Sequence, residues 1–230
     1  MTKRLSLKHY DPDCRQCERL ACFLREMKAR YPTYVCKPVP PFGDAAARLL
    51  IVGLAPGLHG ANATGRPFTG DHAGIMLFRM LHEFGFSSAP QSTQNDLLAL
   101  KNCRITNAVK CLPPQNKPIA SEVNTCRGFL AEELKTVALG GVFLALGKIS
   151  HDSIVRALGL KISQYPFGHG AEYRLKDGRI LLSSYHCSRY NTQTNRLTLK
   201  MFRDIFKRAK RSEEHTSELQ SPCNLVCRLL

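Results

Sequence analysis

The sequence predicts an α/β fold, a three-layer α/β/α sandwich in which a central parallel sheet is covered by helices on both faces. Three observations predict it. Short runs rich in Leu, Ile, Val and Phe alternate along the chain with segments of helical periodicity. The first of them, in "ARLLIVGLA", is a continuous apolar run rather than an alternation of apolar and polar residues, the pattern of a strand buried on both faces. No internal repeat or low-complexity linker interrupts the alternation, so one domain is expected.

The elements follow in order. "CERLACFLREMKARY" suits an amphipathic helix, and "ARLLIVGLA" a buried strand that ends in Gly and Pro. "GIMLFRMLHEFGF" reads as a helix and "CRITNAVKC" as a strand. "ASEVNTCRGFLAEELKTVAL" is a helix for which Ser121 is the expected N-cap, because a Ser oxygen accepts from first-turn amides. "GVFLALG" is a strand, "SHDSIVRALGL" a helix, "GRILLSSYH" a strand and "LTLKMFRDIFKRAK" the closing helix.

The chain has 230 residues, a formal net charge of +15 and ten cysteines. Charge so far from balance, spread along the chain, favours a polyanionic partner such as nucleic acid. "MTKRLSLKHY" lacks the apolar core of a signal peptide, and "GGVFLALG", the nearest approach to a membrane span, is far too short. A cytoplasmic protein with no membrane partner is expected, and its cysteines point to a metal or redox site rather than disulfides.

The end of the chain breaks the pattern. "RSEEHTSELQSPCNLVCRLL" loses apolar periodicity and the basic bias, and RSEEHTSELQS is the in-frame translation of a common sequencing adapter. Residues 1–210 are therefore read as the domain and 211–230 as an assembly artefact, which sets aside Cys223 and Cys227.

Open parallel sheets bind ligands outside the carboxyl ends of their strands. Three polar loops leave such ends: "GLAPGLHGANATGRPFTGDHAG", "KCLPPQNKP" and "SSYHCSRYNTQTNR". Their convergence would bring Asp71, Asn116 and His186 into one cleft. G-x-x-x-x-G-K-[ST] and G-x-G-x-x-G are both absent, which argues against a nucleotide site, and G-x-S-x-G is absent, which argues against a serine hydrolase. A carboxylate, an amide and an imidazole remain, beside the ring of Phe68. Cleavage of a nucleoside N-glycosidic bond needs this kit: donors for an anionic leaving base, a carboxylate for water and sugar cation, and a ring to stack on the base. Taken singly, each has a plainer use: Asp71 as a helix N-cap, Asn116 as a turn residue, His186 as a partly buried histidine at a strand end.

Among the cysteines, Cys14 and Cys17 form C-x2-C in "CRQC", while Cys111 and Cys126 close the two ends of "LPPQNKPIASEVNT". Zn2+ and an iron–sulfur cluster would both accept these four ligands. Cys22, Cys36, Cys103 and Cys187 read as small buried apolar residues or spare thiols.

"GLAPGLHGANATGRPFTGDHAG", "VKCLPPQNKP" and "SYHCSRYNTQTNRLT", together with "CRQC", resemble the family 5 uracil-DNA glycosylases over nearly all of residues 11 to 210. The resemblance implies an α/β/α domain with a central four-stranded parallel sheet. It also implies a structural [4Fe-4S] cluster on Cys14, Cys17, Cys111 and Cys126. By the same likeness the backbone after Gly53, with Leu54 and Ala55, would hold a flipped base under Phe68; Asn107 would read the base edge as the equivalent Asn does in the sibling family 4, whereas family 5 chains can have a small residue there. Asp71 would serve water or the sugar cation, Asn116 would assist, and His186 would donate to the uracil carbonyl. Where other members carry Asn or Asp, this chain has Gly57. Arg189 and Tyr190 would enter the duplex, and Arg66, Lys117 and Arg196 would meet phosphates. A monofunctional hydrolase, monomeric and acting on DNA that contains uracil or other deaminated bases such as hypoxanthine, is the expectation. An iron–sulfur DNA-binding protein without chemistry and a Zn-stabilised nucleotide-binding protein are the competing readings.

Overall fold

In a computed structural model, residues 10–219 are described. Chain order gives α1 (Glu18–Arg30), β1 (Phe42–Gly43), β2 (Leu49–Gly53), α2 (Ala61–Thr64), α3 (His72–Glu83), β3 (Cys103–Asn107), α4 (Ala120–Thr136), β4 (Val142–Leu146), α5 (Lys148–Ala157), β5 (Glu172–Arg174), β6 (Ile180–Ser184), α6 (Arg189–Gln193) and α7 (Leu199–Leu219).

The sheet runs β1-β3-β2-β4-β6-β5. Its four central strands are parallel, in the register Ile51 beside Ile105 and Leu144, with Leu144 beside Leu182. This is the expected four-stranded parallel core. Two short antiparallel edges add to it: β1 pairs with β3, and β5 with β6. At two and three residues, these edges are too short to leave a periodic signal in the sequence.

Successive strand residues face opposite layers. Leu49, Ile51, Ile105, Leu144 and Leu182 pack toward Leu77, Phe78 and Leu81 of α3 and Phe202 and Phe206 of α7. Leu50, Val52, Phe143, Ala145 and Leu181 pack toward Leu130 and Leu134 of α4 and Ile154 and Val155 of α5. Each such side chain contributes roughly 1.5–3 kcal/mol on burial, and the two apolar layers fix the sheet between them.

One local expectation is corrected. Ser121 is not the cap of α4, since Ile119 holds the N-cap position and Ala120 begins the helix. Glu122 explains the shift: its carboxylate accepts the Ile119 N–H at 2.9 Å and pairs with Arg19, leaving Ser121 exposed inside the first turn. At the other end α7 runs past Lys210 to Leu219, and 220–230, with Cys223 and Cys227, lies outside the described residues.

The chain passes from β2 to β3 on one side and then to β4 on the other side of β2. Such a reversal opens a crevice at the carboxyl ends of the strands.

Candidate active site

A cavity of about 430 Å3 lies in this crevice, and Asp71, Asn116 and His186 all line it, as do Leu54, Ala55, Phe68 and Asn107. Its base is built by close backbone approach. The carbonyls of Gly53 and Leu54 accept the amides of Ala108 and Val109, both at 2.9 Å, which joins the exits of β2 and β3. Gly53 lies beneath the lining rather than in it. A Cβ there would stand 2.6 Å from Phe68 Cζ and closer still to Asn107 Oδ1, so only glycine lets both side chains lie over the strand end. Asn107 is 4% exposed, and among the described residues its side-chain amide has no hydrogen-bond partner. That leaves a donor and an acceptor facing the cavity.

Asp71 has two uses at once. Its Oδ1 accepts the Gly74 N–H at 2.8 Å and caps α3. The plainer reading of Asp71 is thus correct for one oxygen. The other oxygen faces Gly57 and Gly60, where a Cβ on Gly60 would come within 2.9 Å of it. A Cβ on Gly57 would stay 3.9 Å away, so this wall has room where other family members were expected to carry Asn or Asp. Burial pushes the Asp71 carboxyl above its ordinary range, against the lowering effect of the Gly74 and Ala73 amides.

His186 follows β6, and burial pushes its imidazole down to about 4, so the ring is neutral at pH 7. It lies 6.0 Å from the Phe68 ring, centroid to centroid, at 26°. Phe68 itself sits at φ +56°, a strained conformation for an aromatic residue. Gly74 permits it: a Cβ at that position would overlap the Phe68 carbonyl. Asn116 ends a short 3-10 turn after two prolines, and both Gln115 and Asn116 have positive φ. Its side chain is exposed at the cavity mouth.

The basic residues divide. Arg189 lines the cavity and Tyr190 stands 70% exposed beside it on α6. Lys117 is exposed after the Asn116 turn. Arg196 stacks 4.7 Å above the Tyr185 ring and lines a neighbouring cleft with His186. The Arg66 guanidinium pairs with Asp96, donates to Ser92 Oγ at 2.9 Å and lies over the Phe42 ring. A cation so engaged fastens the segment around Asp96 to the loop that carries Phe68 and Asp71.

A second, enclosed void lies nearby, and Cys14, Cys17, Cys111 and Cys126 all line it. All four are free thiols. Burial is the first cause that raises Cys111, to about 12, and that also raises Cys17 and Cys126. The Lys110 amide points at Cys126 Sγ from 3.3 Å, a donor suited to a metal-bound thiolate. Arg19 holds Glu122 in a two-pronged pair at 2.7 Å per arm and so joins the helix after Cys17 to the helix that carries Cys126. Among the described residues no three potential ligands converge closely enough for a single metal ion.

Several lining residues escaped the sequence reading as site residues, among them Ala61, His72, Ala73 and Ser188. His72 sat in view beside Asp71, but its partner lies far along the chain.

Comparison with known proteins then places the chain. The model of the uracil DNA glycosylase superfamily matches residues 40–210. A type-5 uracil-DNA glycosylase of Thermus thermophilus is 47% identical over 203 residues, covering 86% of this chain and 93% of that protein. One from Pyrobaculum aerophilum is 39% identical, covering 86% and 88%. A type-4 uracil-DNA glycosylase of Archaeoglobus fulgidus is 29% identical, covering 71% and 69%.

Proposed function

The chain belongs to the uracil DNA glycosylase superfamily, and from that premise we propose that its cavity receives uracil flipped out of DNA and hydrolyses the N-glycosidic bond. The product is an abasic site, the first step of base-excision repair. The observation that carries this reading is the gathering of Asp71, Asn107, Asn116, His186 and Phe68, from four separate segments, around one cavity at the sheet's switch point.

The base enters against Leu54 and Ala55 with Phe68 as its stacking partner, and the Asn107 amide pairs with the uracil edge. The N1–C1′ bond breaks with its electron pair going to the base. Neutral His186 then donates an N–H to the carbonyl oxygen where negative charge gathers, an interaction stronger in the transition state than before it. Asp71, ionised and partly desolvated, holds the attacking water and steadies the cationic sugar with the oxygen that does not cap α3. The water oxygen bonds to C1′, its proton leaves by way of Asp71, and the uracil anion is protonated on release. Asn116 steadies the water at the cavity mouth. Lys117, Arg189 and Arg196 contact flanking phosphates, and Tyr190 fills the vacated stack. The cavity is roomy enough that hypoxanthine is the second base to examine.

Cys14, Cys17, Cys111 and Cys126 are assigned a [4Fe-4S] cluster. Support comes from four cysteine sulfurs lining one space and from the amide aimed at Cys126. Its role is structural: bound, it would cross-link the segment before α1 to the β3 exit and to α4. Among the described residues no helix is long and apolar enough to cross a membrane. We assign the chain to the cytoplasm as a monomer.

The test is uracil release under single-turnover conditions from a duplex with one U opposite G, read by alkaline cleavage. Wild type is expected to release base, and Asp71→Ala to lose roughly 10²–10⁴ in rate. Binding of the duplex without base release by wild type would favour a non-enzymatic DNA-binding protein, and equal release by both proteins would remove Asp71 from the mechanism.

A further inference from the structure

Helix α6 is short, but it is held from both sides of the cavity. Ser188 caps it through the Asn191 amide, and its outer face presents Arg189 and Tyr190 to solvent. Its inner face carries two tethers. Asn191 donates Nδ2 to the carbonyl of His186 at 2.8 Å. Thr192 Oγ1 meets His72 Nε2 at 3.1 Å, across 120 positions of sequence.

The second contact has a defined polarity. A threonine hydroxyl has one proton, and that of Thr192 is engaged by the carbonyls of Arg189 at 3.0 Å and Ser188 at 3.2 Å. Its lone pairs therefore accept from His72, whose proton lies on Nε2. His72 is the first residue of α3, directly after Asp71, and the Asp71 cap on Gly74 makes that helix start rigid. The base cavity and an adjoining cleft of about 420 Å3 share Phe68, Asp71, His72 and Arg189 as a common wall. The bond from His72 to Thr192 spans the seam in that wall.

We infer that His72 is a positioning residue, one that ties the helix bearing Arg189 and Tyr190 to the backbone of Asp71, so that seating α6 in duplex DNA and aligning the catalytic carboxylate are one event. The inference rests on the glycosylase reading. Load on α6 as it fills the vacated stack passes through Thr192 to His72 and from there to the adjacent Asp71. Single-stranded DNA offers no stack to fill, so the tether carries little load there. A merely structural histidine would act alike on both substrates.

The experiment compares single-turnover uracil release from a U·G duplex and from the same strand unpaired, for wild type, His72→Leu, Thr192→Val, the double variant and His72→Gln. Each single variant is expected to lose roughly tenfold on the duplex and less than about twofold on the single strand. The double variant should be no worse than either single one, the signature of one shared interaction. His72→Gln, whose amide N–H stands near the place of Nε2–H, should recover most of the duplex rate, while near-isosteric Thr192→Val guards against a folding defect. Equal losses on both substrates, additive losses, or no loss in either single variant would overturn the inference while leaving the glycosylase intact. No release by wild type from either substrate would overturn both.

Discussion

The base cavity and the thiol-lined void lie side by side, share the stretch from Asn107 to Cys111, and are built on opposite principles. The cavity is shaped by backbone pressed close at glycine; among the described residues it leaves the Asn107 amide without a protein partner, and it turns one oxygen of Asp71 toward Gly57 and Gly60. Such groups in a partly buried site suit a guest that arrives, is read and departs. The void is shaped by side chains around a space, with four thiols whose polar partners among the described residues are an amide and a hydroxyl. A shell of that kind suits the resident group proposed for it. Function in the first region depends on atoms staying unsatisfied, and stability in the second depends on atoms being satisfied permanently.

The largest effect should come from the second region. Structural metal groups supply on the order of 10 kcal/mol of folding free energy, so losing even part of that through Cys126→Ser should remove several kcal/mol. A fall in Tm of about 10 °C, with loss of iron and acid-labile sulfide in parallel, is the expected result. An unchanged Tm with full iron content would break the comparison by making Cys126 a bystander; an unchanged Tm in a protein that never contained iron would make the void a packing defect.

Gly53→Ala probes the first region and should separate the two. The added methyl meets side chains rather than sheet backbone, so overpacking should cost about 1–3 kcal/mol. Because the groups pushed aside are Phe68 and Asn107, excision should fall on the order of 10²-fold with iron content unchanged. Loss of iron in this variant would show that the shared stretch transmits strain from cavity to void, sharpening the comparison into a coupling. Full activity would show that the close approach at Gly53 is not what shapes the pocket.

The two regions also differed in how far the sequence disclosed them. Among the four central strands β2 and β4 were legible as apolar runs between turn signals, β3 and β6 as shorter β-rich stretches between helices, and Asp71, Asn116 and His186 were placed together because parallel strands end on one side. The cysteines were legible as a group from C-x2-C and the closed loop, whereas their spread around a void is a property of three dimensions. The pairing of Arg66 was not legible since its partner Asp96 lies 30 positions away, in a segment with no pattern of its own. Ser121 lost the cap to Glu122 because that carboxylate is fixed by Arg19, more than 100 positions earlier. His72 and Thr192 each look ordinary in sequence, and only folding makes them neighbours.

The smallest effect, and the one that best shows how the cavity manages charge, is the pH profile. An ordinary histidine titrates near pH ~6.5 and an ordinary aspartate near ~4. Burial moves the two catalytic groups toward each other, His186 down to about 4 and Asp71 up from its usual range. The active form needs Asp71 ionised and His186 neutral, so both groups fail on the acid side and neither fails on the basic side. Single-turnover excision should therefore be level through pH ~6.5 and decline only on the acid side of it, where Asp71 and His186 both take up protons. The same burial makes ionised Asp71 a cost to folding at neutral pH. Asp71→Asn keeps an acceptor for the Gly74 amide and loses that cost, so its Tm should equal or exceed that of wild type while its excision is lost. An inflection near pH 6.5 that disappears in His186→Asn would mean that His186 is hydrated like a surface residue. The cavity would then be wet where the mechanism needs it dry, and the contrast with the enclosed thiol void would rest on shape alone.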